Sequence, residues 1–274
     1  MAFLIFEYED MITITNCFKV EPDLDKVSEE EWRICEAKGE IDLSYIKSRI
    51  NLQDESALEL TLRFREHAAS EGLNCRLSAV SAGDGKVTST LQTLAALGFT
   101  RTDRTLKFDD FNPEITGEVL ADYLSNNDRQ DLIICGGQSG CGSSRAVPLY
   151  IAYKLNIPCI INVKDFVPVD NDHIRVSYVM DGMEITDTVK MPVVLAVGDV
   201  QQTYLRVPTL KQRMEAANRK IEEYDENSAT PSELKLKKLR FVEQKRESEL
   251  IDGSNPVKGA AAIYERLKRE GMVE

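Results

Sequence analysis

The sequence predicts an α/β protein: an open, mostly parallel twisted sheet with helices on both faces, followed by a C-terminal helical arm. Three observations carry the expectation. From Met11 onward, short β-branched runs alternate with segments of helical period, the pattern of parallel strands joined by crossover helices. Asp131-Leu132-Ile133-Ile134-Cys135 is almost continuously apolar, as a strand covered on both faces must be. That run leads directly into a glycine-rich segment and then a helix, the place where open sheets collect ligands beyond the carboxyl ends of their strands.

Taken in order, residues 1–10 read as an N-terminal extension, and Ile12 to Phe18 is the first strand, β-branched and without a breaker. Residues 19–50 are irregular and polar, an excursion long enough to be functional or inserted. Asp54 can cap a helix that carries Ala57, Leu60, Phe64 and Ala68 at helical spacing, and Gly72 stops it. Cys75 to Ser81 is the second strand, with Ala82-Gly83-Asp84-Gly85 as its turn. Val87, Leu91, Leu94 and Ala95 mark the next helix, closed by Gly98. A short strand around Arg104 to Phe108 and a helix from Pro113 to Leu124 come before the strand at 131–135; Pro113 suits a first helical turn. Beyond the glycines follow a helix with Ile151, Ala152 and Leu155 and a buried strand from Cys159 to Val163. Ile174, Val176, Tyr178 and Met180 alternate up to Asp181-Gly182, and Ile185 to Val189 returns, which spells a hairpin. Pro192 to Val197 closes a domain spanning 11–200. Residues 201–274 read as an arm: a charged helix from Pro208 to Tyr224, a linker from Asp225 to Pro231 and an amphipathic helix from Val257 to Leu267.

Composition excludes several classes of function. With 34 basic and 46 acidic residues the net charge is -12, which opposes a nucleic-acid backbone as partner. No run reaches the roughly 18 apolar residues of a spanning helix, so membrane insertion is not expected. The apolar start Met1 to Phe6 lacks a basic flank and is interrupted by Glu7, Glu9 and Asp10, so it is no signal peptide and a cytoplasmic location is expected. The six cysteines form no CxxC pair and do not cluster with His67 or His173, which speaks against both a metal site and a disulfide framework.

The chemistry is concentrated in Gly136-Gly137-Gln138-Ser139-Gly140-Cys141-Gly142-Ser143-Ser144-Arg145. Glycines let a backbone approach a ligand closely, a helix N-terminus offers unpaired N–H groups, the two serines add hydroxyls and Arg145 adds charge. Together these suit a phosphate; the glycines alone fit a merely permissive loop equally well. The segment is neither a Walker A loop nor a dinucleotide fingerprint after a first strand. A serine nucleophile paired with His173 would need a Gly-x-Ser-x-Gly elbow, and Gly137 to Cys141 lacks the last glycine. Cys141 at a helix N-terminus can have a lowered thiol pKa, though such a cysteine is more often a small residue that fits. His67 reads as solvated and Trp32 as a lone apolar anchor.

Several stretches, in order, resemble the electron transfer flavoprotein β family over almost the whole chain from Met11. Cys17-Phe18-Lys19-Val20-Glu21-Pro22-Asp23 resembles the family's first strand and its Lys-Gln-Val-Pro-Asp sequel. Asn51 to Glu59 is similar to its Asn-Pro-x-Asp/Glu…Ala-Leu-Glu segment, and Leu97-Gly98 to the Met-Gly of a helix end. Asp131 through the glycine loop resembles its Asp-Leu-Ile-x-x-Gly-x-Gln-Ala-x-Asp-Gly-Asp-Thr-Ala-Gln-Val-Gly motif. Leu155-Asn156-Ile157-Pro158, Met191 to Ala196 and Pro208-Thr209-Leu210 with Met214-Glu215-Ala216 resemble further family segments.

The resemblance implies an adenine nucleotide α-hydrolase-like sheet in a heterodimer whose α subunit carries the redox FAD, while this chain, a carrier without catalytic residues, grips AMP or a second FAD. Carried over position by position, nucleotide contacts fall at Cys17, at Asn51, Leu52, Gln53 and Asp54, at Ala82, and along Gly136, Gly137, Gln138, Ser139, Gly140, Cys141, Gly142, Ser143, Ser144, Arg145, Ala146 and Val147. Leu210 becomes the tip that docks an acyl-CoA dehydrogenase-type or other flavin dehydrogenase, and the last helix reaches across to the α subunit. The family's Asp-Gly-Asp is here Cys141-Gly142-Ser143, and its Gln-Val-Gly is Ala146-Val147-Pro148. A basic residue of the family before the Asp-Gly turn is here Tyr178. Losing two carboxylates changes the charge facing a phosphate, which leaves the nucleotide's identity open. A second expectation, from another class, is a homodimeric adenine-nucleotide-binding regulator resembling universal stress proteins; the segment after Gln201 argues against it.

Overall fold

The computed structural model describes residues 11–108, 112–127, 129–140, 142–201, 203–225, 237–242 and 249–273. The expected extension at 1–10, Cys141 and most of the expected linker lie outside the described residues. The chain divides into two compact units, one of residues 1–29 and 41–237, the other of Glu30–Glu40 and Lys238–Glu274.

The elements run β1 (Met11–Cys17), β2 (Val20–Pro22), α1 (Glu29–Lys38), β3 (Ser48–Ile50), α2 (Leu52–Ser70), β4 (Asn74–Ala82), α3 (Thr88–Ala96), β5 (Arg101–Thr105) and α4 (Pro113–Ser125). They continue with β6 (Leu132–Gly136), α5 (Val147–Leu155), β7 (Cys159–Pro168), β8 (His173–Met180), β9 (Met183–Lys190), β10 (Val193–Val197), α6 (Leu210–Ala216), β11 (Glu222–Tyr224) and α7 (Pro256–Arg269). Nine strands form one sheet in the order β11-β5-β4-β1-β6-β10-β7-β8-β9. All pairings from β11 to β7 are parallel, and only β7-β8 and β8-β9 are antiparallel. The mostly parallel α/β sheet expected from the alternation is the observed one.

Period-two alternation sorts the core into two layers. Ile12 and Ile14 of β1, Leu132 and Ile134 of β6, and Val193 and Leu195 of β10 pack in one cluster with Leu58, Leu62 and Phe64 of α2 and Leu91 and Leu94 of α3. Cys17, Ile133, Cys135 and Val194 turn to the other layer, against Leu120, Tyr123 and Leu124 of α4 and Ile151 of α5. Fully burying a side chain such as Leu58 or Leu62 contributes about 1.5–3 kcal/mol, so these central strands hold the sheet on both faces. Their carboxyl ends carry the candidate site.

Four segments differ from the sequence reading, each for a physical reason. Residues 19–50 are not irregular throughout: β2 and β3 pair antiparallel, and α1 lies between them. The helix assigned to an Asp54 cap begins at Leu52 with Asn51 before it, because the Asp54 carboxyl is engaged with other segments. The strand expected at 104–108 is β5 at Arg101–Thr105; its buried positions are Thr102, Asp103 and Thr105, so it carries no apolar alternation to read. The single charged helix expected from Pro208 to Tyr224 is α6 followed by β11, an edge strand parallel to β5. Arg219 Nη1 donates to the Phe99 carbonyl at 2.8 Å, and Tyr224 meets Tyr123 edge-on at 5.4 Å, so residues read as arm complete the sheet instead. The Asp181-Gly182 hairpin is as expected, both residues having positive φ.

The second unit joins α1 to α7. Asn255 caps α7, its side-chain oxygen accepting from the Val257 and Lys258 N–H groups. Arg33 lies over the Phe241 ring at 5.9 Å, and Cys35 is the buried residue of α1. No helix among the described residues is long and apolar enough to cross a membrane.

Candidate functional site

The chain runs from β1 outward to β4 and β5 and then returns to the other side of β1 with β6, so the sheet order reverses there. Ligand crevices of open α/β sheets form at such points, outside the carboxyl ends of the strands. A cleft lies there, about 670 Å³ counting its open mouth. Cys17, Ala82, Cys135 and Gly136 contribute the strand ends. Phe18, Lys19, Asn51 and Asp54 border it on one side, Thr116, Leu120, Val147 and Pro148 of α4 and α5 on another. Phe108 and the loop residues Gln138, Ser139 and Ser144 complete the lining.

Asp54 ties three chain segments together behind this cleft. Its Oδ1 accepts from the Gly136 N–H at 2.6 Å; Oδ2 accepts from the Lys19 N–H and from Asn51 Nδ2, each at 3.0 Å. Asn51 Nδ2 also donates to the Gln138 carbonyl at 2.8 Å, so the start of α2 grips the loop twice. Burial pushes the Asp54 carboxyl up to about 6 against the pull of these hydrogen bonds, and the nearby Glu21 adds to the rise. At Cys135 the hydrogen bond with Cys17 and then burial raise the thiol well above its ordinary value, so it is a poor nucleophile at neutral pH.

The glycines have internal reasons to be glycine. A Cβ on Gly136 would stand 2.6 Å from Asp54 Oδ1 and 2.8 Å from the Asp54 nitrogen; one on Gly140 would meet the buried Glu21 carboxyl. Gly137 donates to the Val197 carbonyl at 2.7 Å. Ser139 and Ser144 close the loop on itself, Ser139 N–H donating to the Ser144 carbonyl at 3.0 Å and Ser144 N–H to Ser139 Oγ at 3.3 Å. The loop is packed against two acids, Asp54 and Glu21, and its Ser139 and Ser144 line the cleft. Helix α5 starts beside it with no side-chain cap from Ala146 and with Pro148, which has no N–H, in its first turn.

Of the residues singled out from sequence, Cys17, Asn51, Asp54, Ala82, Gly136, Gln138, Ser139, Ser144 and Val147 line the cleft. Leu52 and Gln53 face a separate depression with Tyr204, where Gln53 Nε2 donates to Asp199 at 2.6 Å. Gly142 and Ser143 are exposed with left-handed φ of +81° and +48°. Arg145 is exposed and its Nε donates to Gln138 Oε1 at 3.0 Å; the Ala146 N–H donates to Ser144 Oγ. His173 is engaged with Asp170 at 3.0 Å, away from any pairing with a loop serine. Phe18, Lys19 and Cys135 were missed although each directly adjoins a strand end or the loop. Phe108, Thr116 and Leu120 gave no local signal, since only the tertiary fold brings them in.

Leu210 opens α6, which Thr209 and Gln212 cap reciprocally. It is 75% exposed, and Met214, one turn on, is 69% exposed, with Val207 and Tyr204 also largely open, so this segment presents apolar surface to solvent.

No protein-family model matches the chain. The chain is 29% identical over 264 residues to the Escherichia coli (strain K12) protein named "Putative electron transfer flavoprotein subunit YgcR". The match covers 95% of this chain and 99% of that protein, and so takes in the sheet, the cleft and the C-terminal segment alike. The likeness runs end to end along both chains.

Proposed function

We propose that the chain is a β-type electron transfer flavoprotein subunit, which holds an adenine nucleotide in the cleft and works with an FAD-bearing α subunit in the cytoplasm. The observation that carries the reading is the likeness to the Escherichia coli protein along nearly the full length of both chains. The cleft supports it chemically. Phe18, Phe108, Leu120, Val147 and Pro148 offer apolar walls for a planar base, and the hydroxyls of Ser139 and Ser144 in the lining are polar groups suited to a phosphate. Bound FAD supplies the electron-accepting chemistry; the residues of this chain bind, orient and shield. The nucleotide is AMP or a second FAD, and Ser139 and Ser144 would be the loop groups to meet its phosphate, in a loop that lacks the family's two carboxylates. Leu210 with Met214 is the surface for an acyl-CoA dehydrogenase-type or other flavin dehydrogenase, and α7 is the element that meets the α subunit.

The test is to purify the chain alone and co-expressed with its flavoprotein partner, denature each sample and identify the released nucleotides. AMP from this chain with one FAD per heterodimer identifies a single-flavin carrier; two FADs identify a carrier with a second flavin in this cleft. Failure to associate with a flavoprotein, with ATP or nothing released, overturns the reading.

A further inference from the structure

We propose that Arg145 makes the cleft selective for a diphosphate, so that its preferred occupant is a nucleoside diphosphate or the diphosphate of a dinucleotide. This rests on the adenine-nucleotide role proposed for the cleft and narrows it. Residues 136–147 carry no acidic side chain, and Arg145 is the one charged residue among them. In a chain whose net charge is -12, a local cation is what offsets the surrounding field for a phosphate.

The shape of the loop brings that cation to the cleft. Gly142 and Ser143 take left-handed φ of +81° and +48°, and the Ser139 N–H donates to the Ser144 carbonyl at 3.0 Å. The chain therefore doubles back and returns Arg145 to the side chain of Gln138. Gln138 lines the cleft and is itself fixed, its carbonyl accepting from Asn51 Nδ2 at 2.8 Å. Its Oε1 accepts from Arg145 Nε at 3.0 Å. That partner is neutral, so it orients the guanidinium without cancelling its charge, and no acid pairs with Arg145 among the described residues. With Nε engaged, the two terminal nitrogens remain as a planar edge suited to phosphate oxygens.

Exposure orders these groups from the inside outward. Ser139 and Ser144 line the cleft and are half-buried, whereas Arg145 is exposed. The serines offer neutral hydroxyls to a first phosphate, and a second phosphate joined to it extends outward to the guanidinium. A monophosphate has one group to share between the serines and the arginine; a diphosphate engages both at once.

The experiment is isothermal titration calorimetry of the full chain, freed of bound nucleotide, with AMP, ADP and FAD. ADP is expected to bind about tenfold more tightly than AMP, and Arg145→Gln to bring the two within about threefold of each other. Arg145 is exposed, so its replacement leaves the fold intact. FAD binding as tightly as ADP identifies a dinucleotide as the source of the diphosphate; weaker FAD binding identifies a free nucleoside diphosphate. Failure of ADP to bind more tightly than AMP, or a preference for ADP that survives in Arg145→Gln, overturns the inference and leaves the nucleotide reading standing. Binding of none of the three overturns both.

Discussion

At the scale of single residues, Asp54 is where folding and the candidate site meet. Its ordinary value of 3.8 is raised to about 6 in the fold, so between these limits the folded chain holds a proton that the unfolded chain has lost. Stability from this group is therefore complete below about pH 4 and falls as pH rises towards 6, by roughly 3 kcal/mol in all. Urea denaturation of the native protein and Asp54→Asn at several values between pH 4 and pH 7 checks it. The stability difference between the two is expected to move by about 3 kcal/mol, favouring the native protein most at the acid end; a constant difference would rule the assignment out. The adjoining glycine is equally constrained. In Gly136→Ala the new Cβ would press on the Asp54 backbone nitrogen at 2.8 Å, which only a shift of α2 relieves, whereas Gly140→Ala meets the end of the Glu21 side chain. Thermal melts are expected to place Gly136→Ala about 1–3 kcal/mol below the native protein and below Gly140→Ala as well.

At the scale of elements, α2 does more than cover the sheet. Its first turn grips the loop through Asn51 and Asp54, and its outer side holds the strand-like stretch that leads from β10 to α6. Ser56 Oγ donates to the Thr203 carbonyl at 3.0 Å; the Leu205 N–H donates to Glu55 at 3.3 Å, and the Arg206 N–H to Glu59 at 3.1 Å. Arg206 also bonds Glu59 through Nε and Nη2 and reaches Glu66 through Nη1. Burial pushes Glu59 up, but the Arg206 side chain and backbone outweigh it and hold the carboxyl below its ordinary value. Those same bonds raise the Arg206 guanidinium. The Glu59 side chain is 6% exposed and the Arg206 side chain 37%, so Arg206→Ala removes the guanidinium and leaves the nearly buried carboxylate only the backbone N–H of residue 206 and Arg63, at a cost of about 1 kcal/mol, discounted for the solvent around arginine. Hydrogen exchange is expected to quicken across residues 203–216 and stay unchanged in α5; uniform quickening would mean general destabilisation instead. None of these ties was legible in the sequence. The helix was readable because Ala57, Leu60, Phe64 and Ala68 repeat at its period, but the partners of Glu59 and Asp54 lie 147 and 82 residues away along the chain. Buried polar strands fail for a similar reason: β5 is fixed by Asp103 meeting Tyr123 and Arg101, a pattern with no apolar rhythm.

At the scale of the whole molecule, the parallel sheet was legible because its central strands are buried on both faces and therefore read as apolar runs. The cleft was half legible: the strand ends and loop carry their own glycine and serine signature, while Phe108, Thr116 and Leu120 arrive only through the fold. The division into two units was not legible, since the second unit joins Glu30–Glu40, inside the polar excursion, to residues more than 200 positions later. Among its described residues that unit has little core of its own. Cys35 is the buried residue of α1 and Gly259 that of α7, and stretches this short rarely bury enough apolar surface to be stable alone. Trp32, the only tryptophan in the chain, lies in this unit, and the nine-stranded sheet belongs to the other. Tryptophan fluorescence therefore reports the small unit and far-ultraviolet circular dichroism chiefly the large one. In urea the fluorescence transition is expected at a lower midpoint than the dichroism transition, because opening α1 and α7 exposes little core while opening the sheet exposes both of its layers. Coincident midpoints would instead show the two units unfolding as one cooperative body. If the proposed function holds and a flavoprotein partner covers α7, the complex is expected to show an upward shift of the fluorescence midpoint with the sheet's nearly in place, since a partner bound only to the folded state stabilises what it touches.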